Sequence, residues 1–210
     1  MPRKYVHTKA IVLKRINYKD ADKIITLYTK EEGKLTALAK GIRKISSRKK
    51  SHLELFNIID CYLVEGKNWY IITQAESIKS FKKIKDDLEL TQMGYYALEI
   101  FEKLIQDGEP NEQLFNLLAN TFIQLSEKRN INIINAFNLK LIKLIGFLPN
   151  LSTFPNEVQK HMELISKQAL KDVSVNTKNF SISKKTYYIL RNYTEEILEK
   201  EIRTKVDFRE

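Results

Sequence analysis

The residues from 40 to 50, KGIRKISSRKK, place six cations and no acid in one short stretch. Lys and Arg side chains clustered in this way attract phosphate groups, so the stretch predicts a contact with a polyanion. Its cations are Lys40, Arg43, Lys44, Arg48, Lys49 and Lys50. We term residues 40–50 the basic loop. A basic cluster can also be no more than solvated surface, and this alternative stands beside the functional one.

The charge of the chain is distributed unevenly. Residues 1–85 contain 20 Lys+Arg against 8 Asp+Glu, whereas residues 86–210 contain 16 against 18, and the formal net charge is +10. Charge that served only solubility would be expected to spread over the whole surface. A one-sided surplus therefore indicates that the first segment needs positive potential, as a protein that follows a phosphate backbone does.

Four further cations and one aromatic residue extend the candidate nucleic-acid surface. Lys14 and Arg15 end the first predicted strand, and Lys82 and Lys83 lie where the chain leaves the strand region. Each could line a groove that guides a phosphate backbone. Tyr18, in a predicted polar loop, is the preferred platform for base stacking, a contact worth about 1–3 kcal/mol per base in single-strand binders.

Residues that could carry catalysis or bind metal ions lack the necessary spacing. His7, His52 and His161 lie far apart without an HxxxH or HExxH arrangement, which predicts surface or capping roles. The acid pairs in 20–22 and 86–87 fit a turn and a helix N-terminus better than a magnesium site. No phosphate-binding glycine loop, nucleophile elbow or dinucleotide motif occurs. We therefore expect a protein that is not an enzyme and that needs no metal or cofactor.

The cysteine content and the apolar runs indicate the compartment. Cys61 is the one cysteine, so it can form neither an intramolecular disulfide nor a four-thiolate metal site, which fits a reducing cytoplasm. No run of about 18 apolar residues could span a bilayer, and the start leads into a strand-like AIVL, unlike a signal-peptide core. We expect a cytoplasmic protein without a membrane partner.

The basic loop must be positioned by the elements around it, and the pattern before residue 75 predicts β-strands. Gly33 lies in the predicted turn of the first hairpin. Gly66 lies in the predicted turn of the second, where a glycine can adopt the positive φ that a tight reversal needs. Five short strands with a longer connection after the third fit a small OB-like barrel, although an SH3-like barrel has a similar count. The predicted strands cover residues 7–16, 22–29, 35–40, 53–64 and 69–74.

From residue 77 onward the apolar period lengthens to about three and a half, which predicts helices. Asn111 and Asn132 are expected to cap the second and third helices, and Gly146 to end the third. Ser183 is expected to cap a last helix that ends near residue 206. The predicted helical segments are residues 95–105, 114–125, 134–144, 156–170 and 183–206. The fold class is thus α+β, with an OB-like barrel domain over 1–80 and an all-α domain over 81–210.

Several motifs, taken in order, resemble the RecO family of recombination mediators. The AIVL strand, the DADKI segment and the GKLTALAKG hairpin are similar to the A-I-V-L, D/E-A-D-x-I and G-K-L-x-x-x-A-K-G motifs of that family. ITQAESIKSF, GEP and FNLKLIKLIGFLPNL continue the likeness, which covers about three quarters of the chain. Each motif alone is weakly specific, whereas their order and spacing together are hard to produce by chance.

The resemblance implies a non-enzymatic DNA-repair factor with an N-terminal OB domain and a helical C-terminal domain. Such proteins bind single- and double-stranded DNA, anneal complementary strands and help to load recombinase onto DNA coated by single-strand-binding protein. The implied partners are RecR, the tail of single-strand-binding protein and, indirectly, RecA, and the implied place is the nucleoid. Many members carry a four-cysteine zinc site after the G-F-x-P-x-L motif. Residues 151–181 lack these cysteines and replace that segment, so no zinc is expected.

The predicted third helix sets cations beside an apolar series. Such a surface could receive an acidic peptide with a hydrophobic end, as the tail of single-strand-binding protein is in bacteria. The candidate partner-binding residues are Phe137, Lys140, Leu141, Lys143 and Leu144. The apolar members also have core spacing, so an inward-facing role is the alternative.

Three other functions stay open. An OB-type RNA or ribosome binder would prefer RNA to single-stranded DNA in competition. A metal-dependent nuclease would cleave labelled DNA with magnesium or manganese. An interaction scaffold whose helical half is the active part would keep its DNA affinity after removal of the barrel's charges.

Overall fold

The computed structural model describes residues 4–172 and 179–208. The chain divides into two compact units. The first consists of Met1–Phe81 with Ile105–Phe115, and the second consists of Lys82–Leu104 with Asn116–Glu210.

The first unit is built on a closed five-stranded barrel. Its strands are β1 (Tyr5–Tyr18), β2 (Asp22–Thr29), β3 (Gly33–Ala39), β4 (Ile58–Glu65) and β5 (Tyr70–Lys79). They neighbour one another in the order β1-β2-β3-β5-β4, and β4 closes onto β1. The β3–β5 pair is parallel and the other pairs are antiparallel. This architecture confirms the predicted OB-like barrel.

Alternating side chains fill the barrel. In β3 every second residue is buried, which is the pattern of a strand with one face toward a core. Cys61 on β4 is fully buried in a core cluster of apolar residues that also includes Val12, Ile25 and Leu63. The β2–β3 hairpin turns at Gly33 as predicted, and this glycine has a φ of +69°.

The strand prediction is wrong in several places. Strand β5 runs to Lys79, five residues beyond its predicted end at residue 74 and into the part predicted to be helical. Residues 53–57 precede β4 and belong to the long connection, because Phe56 adopts a φ of +71° and the side-chain amide of Asn57 donates to the carbonyls of Ser51 and His52. Leu53 and Phe56 are buried here without forming a strand. Gly66 does not take a positive φ. A Cβ there would lie 2.4 Å from the carbonyl oxygen of Trp69, so close backbone approach explains this glycine.

The described residues form six α-helices: α1 (Lys82–Asp86), α2 (Leu88–Leu104), α3 (Glu112–Glu127), α4 (Ile131–Leu144), α5 (Asn156–Lys167) and α6 (Phe180–Leu198). Short 3-10 turns occupy Leu151–Thr153 and Leu170–Asp172. Among residues 4–172 and 179–208, no helix is long and apolar enough to cross a membrane.

Asparagines cap three of these helices, although not always at the predicted position. Asn111 caps α3 as expected, since its Oδ1 accepts from the backbone N–H of Gln113 at 2.9 Å. The cap of α4 is Asn130, whose Oδ1 accepts from the N–H of Asn132 at 2.9 Å, so the prediction of Asn132 was two residues late. An asparagine at either position could cap a helix. Asn130 is the cap because Asn132 lies buried inside the first turn of α4.

The last helix also differs from its prediction at both ends. Asn179 caps α6, and Ser183 is buried in the second turn. The helix ends at Leu198 because Glu199 adopts a left-handed φ of +51°. Residues 200–208 continue without a helix, and Ile202 and Phe208 are buried. Gly146, with a φ of +84°, ends α4 as expected.

Buried polar contacts fix α2, α4 and α6 against one another. The amide nitrogen of Asn138 on α4 donates to the hydroxyl of Tyr96 on α2 at 2.8 Å, and its amide oxygen lies 3.0 Å from Thr194 Oγ1 on α6. Asn135 Nδ2 donates to the carbonyl of Ser183 at 2.9 Å. These hydrogen bonds set the helix faces that carry the candidate partner-binding residues.

Candidate nucleic-acid interface

Successive turns give the basic loop a defined backbone. The N–H of Lys44 donates to the carbonyl of Gly41 at 3.1 Å, and the N–H of Ser47 donates to the carbonyl of Lys44 at 3.1 Å. The N–H of Lys50 donates to the carbonyl of Ser47 at 3.4 Å. Gly41 has a φ of +66°, which a side chain would disfavour, and this explains the glycine that begins the loop.

The start of the basic loop is tied to the turn between β1 and β2. The N–H of Gly41 donates to Asp22 Oδ1 at 2.7 Å, and the N–H of Arg43 donates to the carbonyl of Ala21 at 2.9 Å. Ile42 is buried and anchors the loop to the barrel core. Asp22 is the first residue of β2, so the prediction that it belongs to a turn is wrong, and its carboxylate holds the loop that carries the cations.

Most cations of the basic loop face solvent. Lys40, Arg43, Lys44, Arg48 and Lys50 are exposed. Lys49 is half buried, because its Nζ donates to the carbonyl of Ile72 on β5 at 2.9 Å, and burial lowers the pKa of this ammonium. We interpret Lys49 as an anchor of the loop and the exposed five as the cations available to phosphates.

A cleft of about 420 Å³ separates the basic loop from strand β5. It is lined by residues 40–41 and 47–49, by His52 and by residues 73–75 of β5. Lys40 and Arg48 are exposed at this cleft, and none of the described residues that line it is acidic. A channel with one sign of charge focuses potential, so it suits a phosphate backbone.

The remaining barrel candidates have mixed environments. Lys14 is exposed, whereas the side chain of Arg15 is 13% exposed and lies 2.6 Å from Glu54 Oε2 in an ion pair. Tyr18 is half buried, packs against Trp69 with 5.5 Å between ring centroids, and has the ammonium of Lys19 5.3 Å from its ring. Arg15 and Tyr18 are therefore already engaged within the barrel unit.

Lys82 and Lys83 are exposed on α1 and belong to the helical unit. The basic loop belongs to the barrel unit. That Lys82 and Lys83 belong to the same DNA-binding surface as the basic loop stays a prediction.

The candidate partner-binding set is split between the core and the surface of the helical unit. Phe137 and Leu141 are fully buried, as their core spacing allowed. Lys140 is half buried, because its Nζ donates to the carbonyl of Ser166 on α5 at 2.9 Å, and burial together with the neighbouring Lys143 lowers its pKa. Lys143 is exposed, and Leu144 is 36% exposed.

An exposed apolar patch continues beyond the end of α4. Phe147 is 52% exposed and Leu148 is 44% exposed. The hydroxyl of Tyr193 on α6 donates to the carbonyl of Phe147 at 2.9 Å and holds this segment in place. Phe147 continues the apolar series that the sequence predicts beside Lys140 and Lys143, and Leu148 extends it. Together with Lys143 and Leu144, these residues form what we term the α4-end patch.

The structure describes part of residues 151–181, the segment that is predicted to replace a zinc site. Helix α5 packs on the unit through Val158, Met162 and Ile165, all fully buried. Residues 173–178 of the predicted 151–181 segment lie outside the described residues. Across the described ranges, no group of three or more His, Cys, Asp or Glu side chains could hold a metal ion. That purified protein contains no stoichiometric zinc stays a prediction, which elemental analysis would check.

Comparison with protein families agrees with this geometry in both units. Residues 1–81 match the family model described as Recombination protein O N terminal, and residues 85–203 match the one described as Recombination protein O C terminal. The chain belongs to the RecO family. The first RecO match covers the barrel with its basic loop, and the second covers the helices with the α4-end patch.

Individual RecO relatives show the same breadth of similarity. DNA repair protein RecO of Acetivibrio thermocellus is 34% identical over 155 residues, which are 71% of this chain and 60% of that protein. The protein of the same name from Thermoanaerobacter sp. strain X514 is 36% identical over 146 residues, 69% of this chain and 59% of that protein. DNA repair protein RecO of Rubrobacter xylanophilus is 35% identical over 146 residues, which are 69% of this chain and 58% of that protein. The matched region thus spans about three fifths of each relative's length.

Proposed function

We propose that this chain is a non-enzymatic recombination mediator in DNA repair. It binds single- and double-stranded DNA, promotes annealing of complementary strands, and helps to load recombinase onto DNA coated by single-strand-binding protein. Its proposed direct partners are RecR and the tail of single-strand-binding protein, and RecA is a proposed indirect partner. We propose that it is associated with the nucleoid in the cytoplasm. Membership in the RecO family supports this proposal.

The observation that carries the DNA-binding proposal is the exposure of five cations on a tethered loop of the barrel. The loop is fixed to the β1–β2 turn by hydrogen bonds and to β5 by Lys49. Its exposed cations therefore need little further ordering before they meet phosphates. Each phosphate that a cation neutralises releases condensed counterions, and this release drives binding without reading the base sequence.

The same electrostatics supports strand annealing. Two single strands repel each other through their backbones, and a surface that neutralises phosphates lowers this repulsion while the bases stay available for pairing. No bond is made or broken in this mechanism.

The basic loop is tested by a loop variant, Lys44→Gln with Arg48→Gln and Lys50→Gln. All three residues are exposed, so the fold should be retained. We expect the loop variant to bind every oligonucleotide sequence more weakly than the parent. We also expect the slope of log Kd against log salt concentration to be flatter by about 0.7 for each lost contact with a single strand. Fluorescence anisotropy with labelled single strands over a salt series measures both quantities.

A helix variant with the same loss of charge is the matched control. Lys160→Gln, Lys185→Gln and Lys200→Gln replace three exposed lysines of the helical unit. If the loop and helix variants lose affinity equally, net charge and not the basic loop is responsible, and the proposal fails. The same assay with competing RNA, and incubation of labelled DNA with magnesium or manganese, checks the RNA-binding and nuclease alternatives.

For the partner, we propose that the α4-end patch receives the acidic, hydrophobic-ended tail of single-strand-binding protein. Lys143 supplies an exposed cation, and Leu144 and Phe147 supply apolar surface. A single Lys143→Glu change is the sharpest test, because the half-buried Lys140 also holds α5 and its replacement would disturb packing. We expect Lys143→Glu to abolish binding of the tail peptide in anisotropy while binding of bare DNA stays intact. Lys160→Glu is the control, and unchanged peptide binding by Lys143→Glu would place the partner site elsewhere.

A further inference from the structure

Ile45 lies in the middle of the basic loop with its side chain entirely in solvent. Its relative exposure is 103%, the highest value among the exposed large apolar residues of the described chain. The apolar residues on either side behave in the opposite way, since Ile42 is 1% exposed and Leu53 is fully buried. A single exposed apolar residue is ordinary on a protein surface, so what surrounds Ile45 decides its meaning.

The backbone presents Ile45 at a fixed corner. The turn that begins at Lys44 closes with the N–H of Ser47 on the carbonyl of Lys44, and Ile45 is the first of its two central residues. Turns on both sides and the contact of Lys49 with β5 hold this corner away from the barrel. An isoleucine is β-branched and stiff at χ1, so little conformational entropy is lost when it is buried by a partner.

The charges around Ile45 select the partner. Arg43 and Lys44 precede it, Arg48 and Lys50 follow it, all four are exposed, and residues 40–50 contain no acid. A partner that satisfies this surface must carry dense negative charge and also offer an apolar surface at the centre. A nucleic-acid strand has both, because its phosphates line the backbone and its base rings have apolar faces.

We propose that Ile45 is an aliphatic wedge that inserts between neighbouring bases of the DNA strand held by the basic loop. This inference rests on the proposed DNA-binding function and adds a contact with the bases to it. Apolar wedges in DNA-binding proteins unstack base steps in this way, at an energetic cost that burial of the side chain offsets. The wedge is therefore expected to change base stacking strongly and overall affinity weakly. Bases separated at the loop would present their pairing edges to a complementary strand.

The experiment uses the full chain and single-stranded oligonucleotides that carry 2-aminopurine, whose emission rises when its stacking is lost. Ile45→Ser removes the aliphatic surface, and Ile45→Met is the control that keeps it. At saturating protein, we expect the parent and Ile45→Met to raise the emission and Ile45→Ser to lose that rise. The salt dependence of binding should be the same for all three, because the cations are unchanged.

Two outcomes would overturn the wedge while leaving the proposed function standing. One is that Ile45→Ser raises the emission as much as the parent does, and the other is that the parent binds DNA without any rise. If the parent does not bind DNA, the wedge and the proposed function fail together. Vesicles rich in anionic lipid form a second arm: loss of vesicle binding in Ile45→Ser with an unchanged 2-aminopurine signal would assign Ile45 to a membrane surface and overturn the wedge.

Discussion

At the scale of single residues, burial changes the chemistry of groups that the sequence presents as ordinary. Cys61 is fully buried on β4, and burial, with smaller effects of Asp60 and Glu31, raises the pKa of its thiol to about 12. The thiolate is the reactive form of cysteine. The thiol of Cys61 is therefore unreactive for two reasons: its raised pKa keeps it protonated, and its burial keeps reagents away from it. The single cysteine thus serves packing of the barrel.

His161 on α5 is the second such group, and its tautomer follows from its contacts. Thr186 Oγ1 donates to the carbonyl of Ile182, so the Nδ1–H of His161 donates to Thr186 Oγ1 at 2.8 Å. Nε2 is buried and has no hydrogen-bond partner among the described residues. A second proton on the ring would place a buried charge there, and burial accordingly lowers the pKa of His161 below its ordinary value.

This environment predicts a pH dependence of stability. A histidine whose pKa is lower in the fold than in the unfolded chain stabilises the fold fully above about pH 6.5. That contribution is lost as the pH falls from about 6.5 toward the lower folded pKa. His161→Gln keeps a donor for Thr186 and removes the titration. Urea unfolding from pH 8 to 5 should therefore show the parent losing stability relative to His161→Gln as the pH falls, and a constant difference would contradict the assignment.

At the scale of elements, the segment after α6 is held by Glu99, a partly buried carboxylate of α2. Glu99 accepts from the N–H groups of Arg203 and Thr204 at 2.8 Å each and from Lys103 Nζ at 2.7 Å. Burial alone would raise its pKa, but these hydrogen bonds and that of the Thr204 hydroxyl outweigh it and lower the pKa to about 2. Arg191 of α6 binds the same segment by donating to the carbonyl of Thr204 at 2.6 Å.

Glu99→Gln should therefore loosen residues 200–208. The amide cannot accept from all of these donors as the carboxylate does, so we expect a loss of about 1.5–3 kcal/mol in the free energy of unfolding at pH 7. The difference from the parent should shrink as the pH falls below about 4.5, since the depressed pKa of Glu99 contributes stability only while the group is ionised. Urea unfolding and hydrogen exchange of residues 200–208 measure these effects. Glu157→Gln, an exposed change on α5, is the control and should leave both unchanged.

At the scale of the whole molecule, the positive charge is concentrated in the first 85 residues, which include the basic loop. We therefore expect strand annealing by the parent to slow steeply with salt, and annealing by the loop variant to be slower and less salt-dependent. Annealing measured by energy transfer between labelled complementary strands, with and without cognate single-strand-binding protein, checks this. If the loop variant anneals as fast as the parent, the cations of this loop do not drive annealing.

Local chemistry explains what could be predicted from the sequence. Strand β2 begins at Asp22 and ends at Thr29 as predicted, because its β-rich residues are bounded by turn residues on both sides. Gly33 has its turn role because it lacks a Cβ, and Asn111 has its cap role because its side-chain oxygen accepts from the first turn of α3. The basic loop was recognised from its composition alone. These features depend on residues within a few positions of one another, so the sequence contains them directly.

Contacts between residues that are far apart in sequence decided the rest. Lys49 and Lys140 look like solvated cations, yet carbonyl groups of Ile72 and Ser166, more than twenty positions away, bind their ammonium groups. Residues 53–57 have strand-like composition, but Leu53 and Phe56 are buried in the connection before β4, where Phe56 has a positive φ. The exposure of Ile45 beside the buried Ile42 follows from turns tethered to the rest of the barrel. Composition determined that this chain has a basic, strand-rich first part and a helical second part, whereas tertiary packing decided which of its cations and apolar residues face a partner, because burial depends on neighbours that only the fold brings together.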